Sequence, residues 1–256
     1  MLDYLYCVAA VADAEVRKVM RDPTELFSRA VQPVLWLAVF GQVFSQVRGI
    51  PTGALGYLDY MAPGILAQSI LFSAIFYGIA VIWERDLGIV HKLLVTPAPR
   101  RALVLGKAVA AGVRGLVQAI VVYLIAALLH VHIRWQLPAI GLAACSVFLG
   151  SCIFSTFSLL IACIVKTRER FMGIGQVLTM PLFFASNAIY PMDIMPARLQ
   201  TVARLNPLTY LVDVLRGAMV LRGLNLYSMG LSFGVMLAVF ALLTAGATRL
   251  YPGLAR

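Results

Sequence analysis

Apolar residues in this chain do not alternate with polar ones; they run. Six uncharged or nearly uncharged stretches stand out, at about 30–47, 59–84, 102–129, 135–165, 171–192 and 223–248. Crossing roughly 30 Å of hydrocarbon takes about 20 helical residues. Inside lipid every backbone group must be paired within its own segment or in a closed barrel, and continuous runs of this length fit helices rather than alternating strands. The pattern predicts an all-α polytopic membrane protein: a single transmembrane domain over residues 1–256 with six transmembrane helices.

Residues 4 to 27 carry a different pattern. Leu5, Val8, Ala12, Val16, Val19 and Met20 recur at spacings of three and four, with Asp13, Arg17, Arg21 and Glu25 toward the other side. That is an amphipathic helix, and because it leads through Pro23 into the first span it is expected to lie in the headgroup plane; the alternative is a helix packed on the bundle. Asp3 and Asp13 interrupt any signal-peptide pattern.

Composition sharpens this picture. Hydrophobic residues make up 61% of the chain and charged ones 12%, about half of what a soluble domain carries. The formal net charge of +10 is spread over short segments beside apolar runs, which is the bias of a membrane protein attracted to anionic lipid headgroups rather than a nucleic-acid surface. Counting Lys and Arg by segment, Arg17, Lys18, Arg21, Arg29, Arg85, Lys92, Arg100, Arg101, Lys107, Lys166, Arg168, Arg170, Arg249 and Arg256 fall on one side, 14 in all. Arg48, Arg134, Arg198, Arg204, Arg216 and Arg222, 6 in all, fall on the other. Positive loops stay inside, so both termini are expected in the cytoplasm of a cell with the chain in its inner, or plasma, membrane.

Catalytic and metal motifs are not recognisable. LVLGKAV, Leu103 to Val109, has Arg101 where a nucleotide loop needs Gly and Ala108 where Ser or Thr must meet magnesium, so no cofactor is expected on this chain. His130 and His132, two apart, would point to different faces of a helix and read as loop histidines at a membrane surface. Cys145, Cys152 and Cys163 are separated by seven and eleven, share a helical face, and read as packing residues without metal or disulfide.

Charge, Gly and Pro concentrate instead in WERDLGIVHKLLVTPAPR, Trp83 to Arg100. Glu84, Arg85 and Asp86 end the second span, Gly88 interrupts, and Val90, Leu93, Leu94 and Val95 form a short apolar patch before Pro97 and Pro99. Apolar side chains held in water gain about 1.5 to 3 kcal/mol each only when covered, so a docking partner is expected there.

The segment WERDLGIVHKLLVTPAPRRALVLGK resembles the cytosolic loop after the second span in type-two ATP-binding-cassette (ABC) export permeases. NAIYPMDIMPARLQTVARLNPLTYLVDVLRGAMV, Asn187 to Val220, resembles that family's region between spans five and six. The closest-looking members export drugs, lipids or glycoconjugates. Ile89 stands where the family often has Thr and His91 where it often has Glu, which puts polar contacts through those positions in question. The resemblance implies a non-catalytic permease of multidrug-resistance type. A separate ATPase, which holds the ATP and Mg, would seat on a coupling helix formed by Glu84, Arg85, Gly88, Leu93, Leu94, Pro97 and Arg100. It further implies two ATPase copies and a second permease, identical or related, making a dimer with the conduit at its seam.

Three further readings follow from the residues. Asn206 and Pro207 make a helix start with Gly223 as its stop, and Asp213 and Arg216, three apart, can pair along that helix. With Pro191 and Pro196, this segment fits a re-entrant pair of helices on the external side. Gln68, Ser69, Phe72, Ser73 and Phe76 on span two, and Gln176, Thr179, Phe183, Phe184 and Asn187 on span five and just after it, are candidate pathway residues; helix-to-helix hydrogen bonding is the plainer role for the polar ones. Arg114, within the third span and seven residues beyond Lys107, either snorkels or faces protein or a cavity. An amphipathic substrate suits the aromatic and apolar side chains. The alternative function is an ATPase-independent secondary transporter or channel, which intramembrane acids or inverted repeats would favour.

Overall fold

The computed structural model describes residues 2–21, 31–45, 55–96, 98–165, 167–223 and 225–255. Pro23, Glu25, Arg29, Arg48, Pro97, Lys166 and Arg256, and the side chains of Val19, Met20, Arg21 and Leu94, lie outside the described residues. The elements are α1 (Leu2–Arg21), α2 (Val31–Phe44, containing a π-helical segment at Trp36–Gly41), α3 (Tyr57–Asp86), α4 (Ile89–Val95), α5 (Arg100–Leu128), α6 (Leu137–Ile164), α7 (Arg168–Phe184), α8 (Ala197–Leu205), α9 (Pro207–Met219) and α10 (Met229–Leu250). Among the described residues the only β pairing is a single bridge between Ile133 and Val220. The protein is an all-α polytopic membrane protein.

Among the described residues four helices, α3, α5, α6 and the segment Met229–Leu254 that begins with α10, are long and apolar enough to cross a membrane. The central one is α6, packed by α3, α5, α9 and α10. Its small residues allow this: Gly150 leaves room for Leu211 of α9, and Ser151 sits where Gly115 of α5 has no side chain. By contrast, only 11% of the apolar window of Met229–Leu254 is buried, so most of α10 faces outward.

The fifth and sixth helices differ from the expected bounds. Expected to run to residue 192, α7 ends at Phe184 and is 17 residues long. The cause is Asn206, whose amide donates to the Leu182 carbonyl at 2.6 Å and the Ala185 carbonyl at 3.0 Å, closing the helix end. The loop that follows is buried at Ala185–Ala188 and crosses α3 at Gly64, where a Cβ would run into the Ala188 carbonyl. The last long helix starts at Met229, not 223, because residues 225–227 are held to α9. Asp213 accepts the Leu226 N–H at 2.6 Å and the Tyr227 N–H at 3.2 Å, and Asn225 donates to the Asp213 carbonyl at 3.1 Å.

The N-terminal helix α1 packs along α5. Ala12 and Glu15 are buried in this contact, whereas Leu5, expected on the apolar face, is exposed, as is Tyr6.

Candidate functional site

The corner between α3 and α5 is built by a change of backbone. Gly88 takes φ 72, ψ 7, the left-handed conformation that ends α3 and redirects the chain into α4. Nothing lies within 4 Å of a Cβ placed there, so glycine is required for its dihedral angle and not for space. Pro99 precedes α5, its carbonyl accepting the Ala102 N–H at 2.8 Å. Between these two stops α4 has only seven residues.

The apolar side chains of this stub divide differently from the sequence expectation. Val90 is fully buried and Leu93 half-buried, packed with Leu103, Val104, Tyr251 and Leu254. The chain covers them itself, because its own C-terminal turn lies against α4. Exposed instead are Leu87 at 67%, Ile89 at 36% and Val95 at 87%. Around them His91, Lys92, Arg100 and Arg101 are exposed. Trp83, half in solvent, lies under Arg168 at 3.6 Å from the ring centroid, and Arg168 pairs with Asp86 at 2.8 Å. Arg85 also pairs with Asp86, at 2.9 Å, and donates to the Val165 carbonyl at 3.4 Å.

Glu84 turns the other way. Its Oε1 accepts Lys18 of α1 at 2.5 Å and its Oε2 accepts Lys107 of α5 at 2.6 Å. Lys107, 1% exposed, also donates to Glu15 of α1 at 2.8 Å. Glu15 in turn takes Lys18 at 3.3 Å and Arg114 at 3.4 Å. Burial opposes ionisation of Glu15, but Lys107, Lys18 and Arg114 outweigh it and hold the carboxyl below its usual range. Arg114 therefore faces protein, and it also lines a small cavity of about 20 Å³ with Ser73, Tyr77 and Ser151.

The pathway candidates do not gather on one surface. Gln68, Ser69, Thr179, Phe183 and Asn187 are buried within the chain. Ser69 donates to the Ile65 carbonyl at 2.9 Å, Thr179 donates to the Gly175 carbonyl, and Phe183 meets Trp36 of α2 edge-on at 6.0 Å. Phe72 and Ser73 are intermediate; Phe76, Gln176 and Phe184 are exposed.

At the opposite end from the corner, Asn206 caps α9, its Oδ1 accepting the Leu208 N–H at 3.0 Å, with Pro207 in the first position. The helix ends at Met219 rather than at Gly223, since Arg134 and Leu221 make strand-like bonds across the Ile133–Val220 bridge. Asp213 and Arg216 do not form an ion pair among the described residues. Asp213 is occupied by backbone N–H groups, while Arg216 donates to the Asn187 carbonyl at 2.6 Å and lies 3.8 Å from the Tyr60 ring centroid. The histidines separate as well: His132 stays largely exposed but pairs with Asp59 at 3.0 Å, and His130 takes φ 60 in the turn after α5.

Residues 6–220, covering the corner, the buried charges and the capped α9, match the sequence profile of the ABC-2 type transporter family. The chain belongs to that family. It is 32% identical over 200 residues to a putative transport permease ycf38 of Cyanophora paradoxa, covering 77% of this chain and 68% of that one. To the inner membrane transport permease YadH of Escherichia coli K12 it is 23% identical over 244 residues, 91% of this chain and 90% of the other. To nodulation protein J of Rhizobium leguminosarum bv. trifolii it is 24% identical over 200 residues, 76% and 73% of the two chains.

This ABC-2 chain is a membrane permease subunit of an ABC transporter, and permeases of its family generally work with an ABC ATPase. The corner puts Ile89 and His91, the two departures from the family pattern, among its exposed residues. Sequence reasoning missed Glu15. An acid three residues after Ala12 on an otherwise apolar helical face, in a chain with Lys107 and Arg114 inside a span, was the available signal.

Proposed function

We propose that this chain is the membrane half of an ATP-driven exporter, with an ABC ATPase seated on the α3–α4–α5 corner and both termini on the ATPase side. The observation that carries it is the exposed apolar set Leu87, Ile89 and Val95 within a ring of basic side chains, on a stub whose other face is closed by the chain's own core. Covering such side chains is worth about 1.5 to 3 kcal/mol each, so a complementary surface with apolar pockets and acidic neighbours fits it.

Two permease chains, each above one ATPase, complete the reading. The surface for a second copy is the side of α2 and α7, where Val34, Leu35, Val39, Phe40, Val177 and Phe184 are exposed. With Phe76 and Gln176 on this side, the substrate is amphipathic, of the drug, lipid or glycoconjugate kind.

Pull-down of an ABC ATPase by the detergent-solubilised permease tests the docking. Ile89→Asp and Val95→Asp are expected to abolish capture, with Arg222→Glu at the opposite end as a neutral control; retained capture by both corner variants removes the reading. Stimulation of ATP hydrolysis by a compound panel in the reconstituted complex then identifies the substrate class.

A further inference from the structure

The buried charges above the corner join three separate elements at one point. Glu84 stands four residues before the Gly88 turn and spends its two oxygens on different helices, Lys18 of α1 and Lys107 of α5. Glu15, from its place on α1, holds two cations of one helix, Lys107 and Arg114 of α5. A single buried ammonium thus bridges two carboxylates from helices far apart in the chain. The seat beside it is close: a Cβ on Gly106 would come within 2.6 Å of the Val11 side chain and 3.0 Å of the Val8 carbonyl, which fixes α1 against α5.

We propose that Lys107 is a positioning residue that locks α1 to the α3–α4–α5 corner, so that a stroke entering at α4 moves α1, α3 and α5 together. This rests on the reading that an ATPase drives the corner. Separating α1 from α3 would strip Glu84 or Glu15 of a counter-ion inside protein, and a buried charge without its partner is strongly unfavourable. The three helices therefore move as one body.

The test uses spin labels at Ala14→Cys and Ala80→Cys, both exposed and outside the cluster and the docking surface, with the four native cysteines replaced by alanine. In the full permease–ATPase complex the α1–α3 distance is expected to be the same with and without ATP. Glu84→Gln should broaden it, even in the permease without ATPase. In proteoliposomes, Lys107→Met and Glu84→Gln are expected to retain ATPase capture and hydrolysis while transport per ATP falls by roughly tenfold or more, and Lys107→Arg should keep most of it. A native α1–α3 distance that shifts with nucleotide overturns the lock, as does an unbroadened Glu84→Gln distribution or normal transport per ATP in Lys107→Met. Absence of ATPase capture by the native chain would instead overturn the docking reading, and the nucleotide-free distance distributions would still decide the lock.

Discussion

The two ends of this permease handle buried charge in opposite ways. At the corner, charge meets charge: Lys107, Glu15 and Glu84 satisfy one another across three helices. At the far end, the two charges of α9 meet backbone: Asp213 gathers the N–H groups of Leu226 and Tyr227, and Arg216, its guanidinium over the Tyr60 ring, donates to the Asn187 carbonyl. Side-chain pairs tie elements that could otherwise move independently. A charge bonded to backbone fixes the course of a loop, here the segments on either side of α9.

The comparison breaks most severely at Lys107. Lys107→Ala leaves Glu15 and Glu84 buried near each other, and an expected loss of about 3–5 kcal/mol should appear as a large drop in the thermal unfolding midpoint in detergent. At the far end Asp213→Ala orphans two backbone donors and should cost about 2–4 kcal/mol, with increased hydrogen exchange at residues 225–227 rather than along α1. Exchange rising on α1 in the Asp213 variant, or near α9 in the Lys107 variant, would show that the two ends are not independent.

Acid separates them further. Glu15 has a folded pKa below its ordinary value of 4.5, so the stability it contributes is complete above about pH 4.5 and is lost as pH falls through the depressed value. The seat of α1 should therefore be unaffected between neutral pH and pH 5 and loosen only below about 4.5. Glu15→Gln should give the loosened α1 at neutral pH, read as increased proteolysis near residues 13–18. Loosening of the native protein at pH 6 would argue against this ionic seat.

The sequence shows one of these ends more plainly than the other. Asn206 followed by Pro207 is a local signal, and the cap stands where that dipeptide predicts it. The amide's second role, closing α7 through Leu182 and Ala185, involves residues more than twenty positions away and left no local mark. The spacing of Asp213 and Arg216 suggested a pair because spacing records which side chains can meet, not which partners compete for them; backbone groups won at both. At the corner the run of charge, Gly88 and the apolar stub marked the place, and the long apolar stretches gave the helices that position it. The stub's orientation was not legible, since Val90 and Leu93 are covered by Tyr251 and Leu254 from the far end of the chain. Only a fold that returns the C-terminus to the corner decides which apolar residues remain outside.

That division yields the mildest test. Leu93→Asp would place a charge in a half-covered core contact and disturb the corner from within, so loss of ATPase capture by it would not separate docking from folding. Gly88→Ala acts differently. No neighbour obstructs the new methyl group, and its cost is confined to holding an L-residue at φ 72, about 1 kcal/mol. The permease should remain folded with an unfolding midpoint lowered only slightly, and ATPase capture should weaken to the extent that α4 no longer holds its angle to α3. A Gly88→Asn variant, better suited to the left-handed region, should recover most of that loss. If Gly88→Ala and Gly88→Asn behave alike, the backbone turn is not what sets the stub's presentation, and the orientation of α4 must come from Val90 and the C-terminal turn instead.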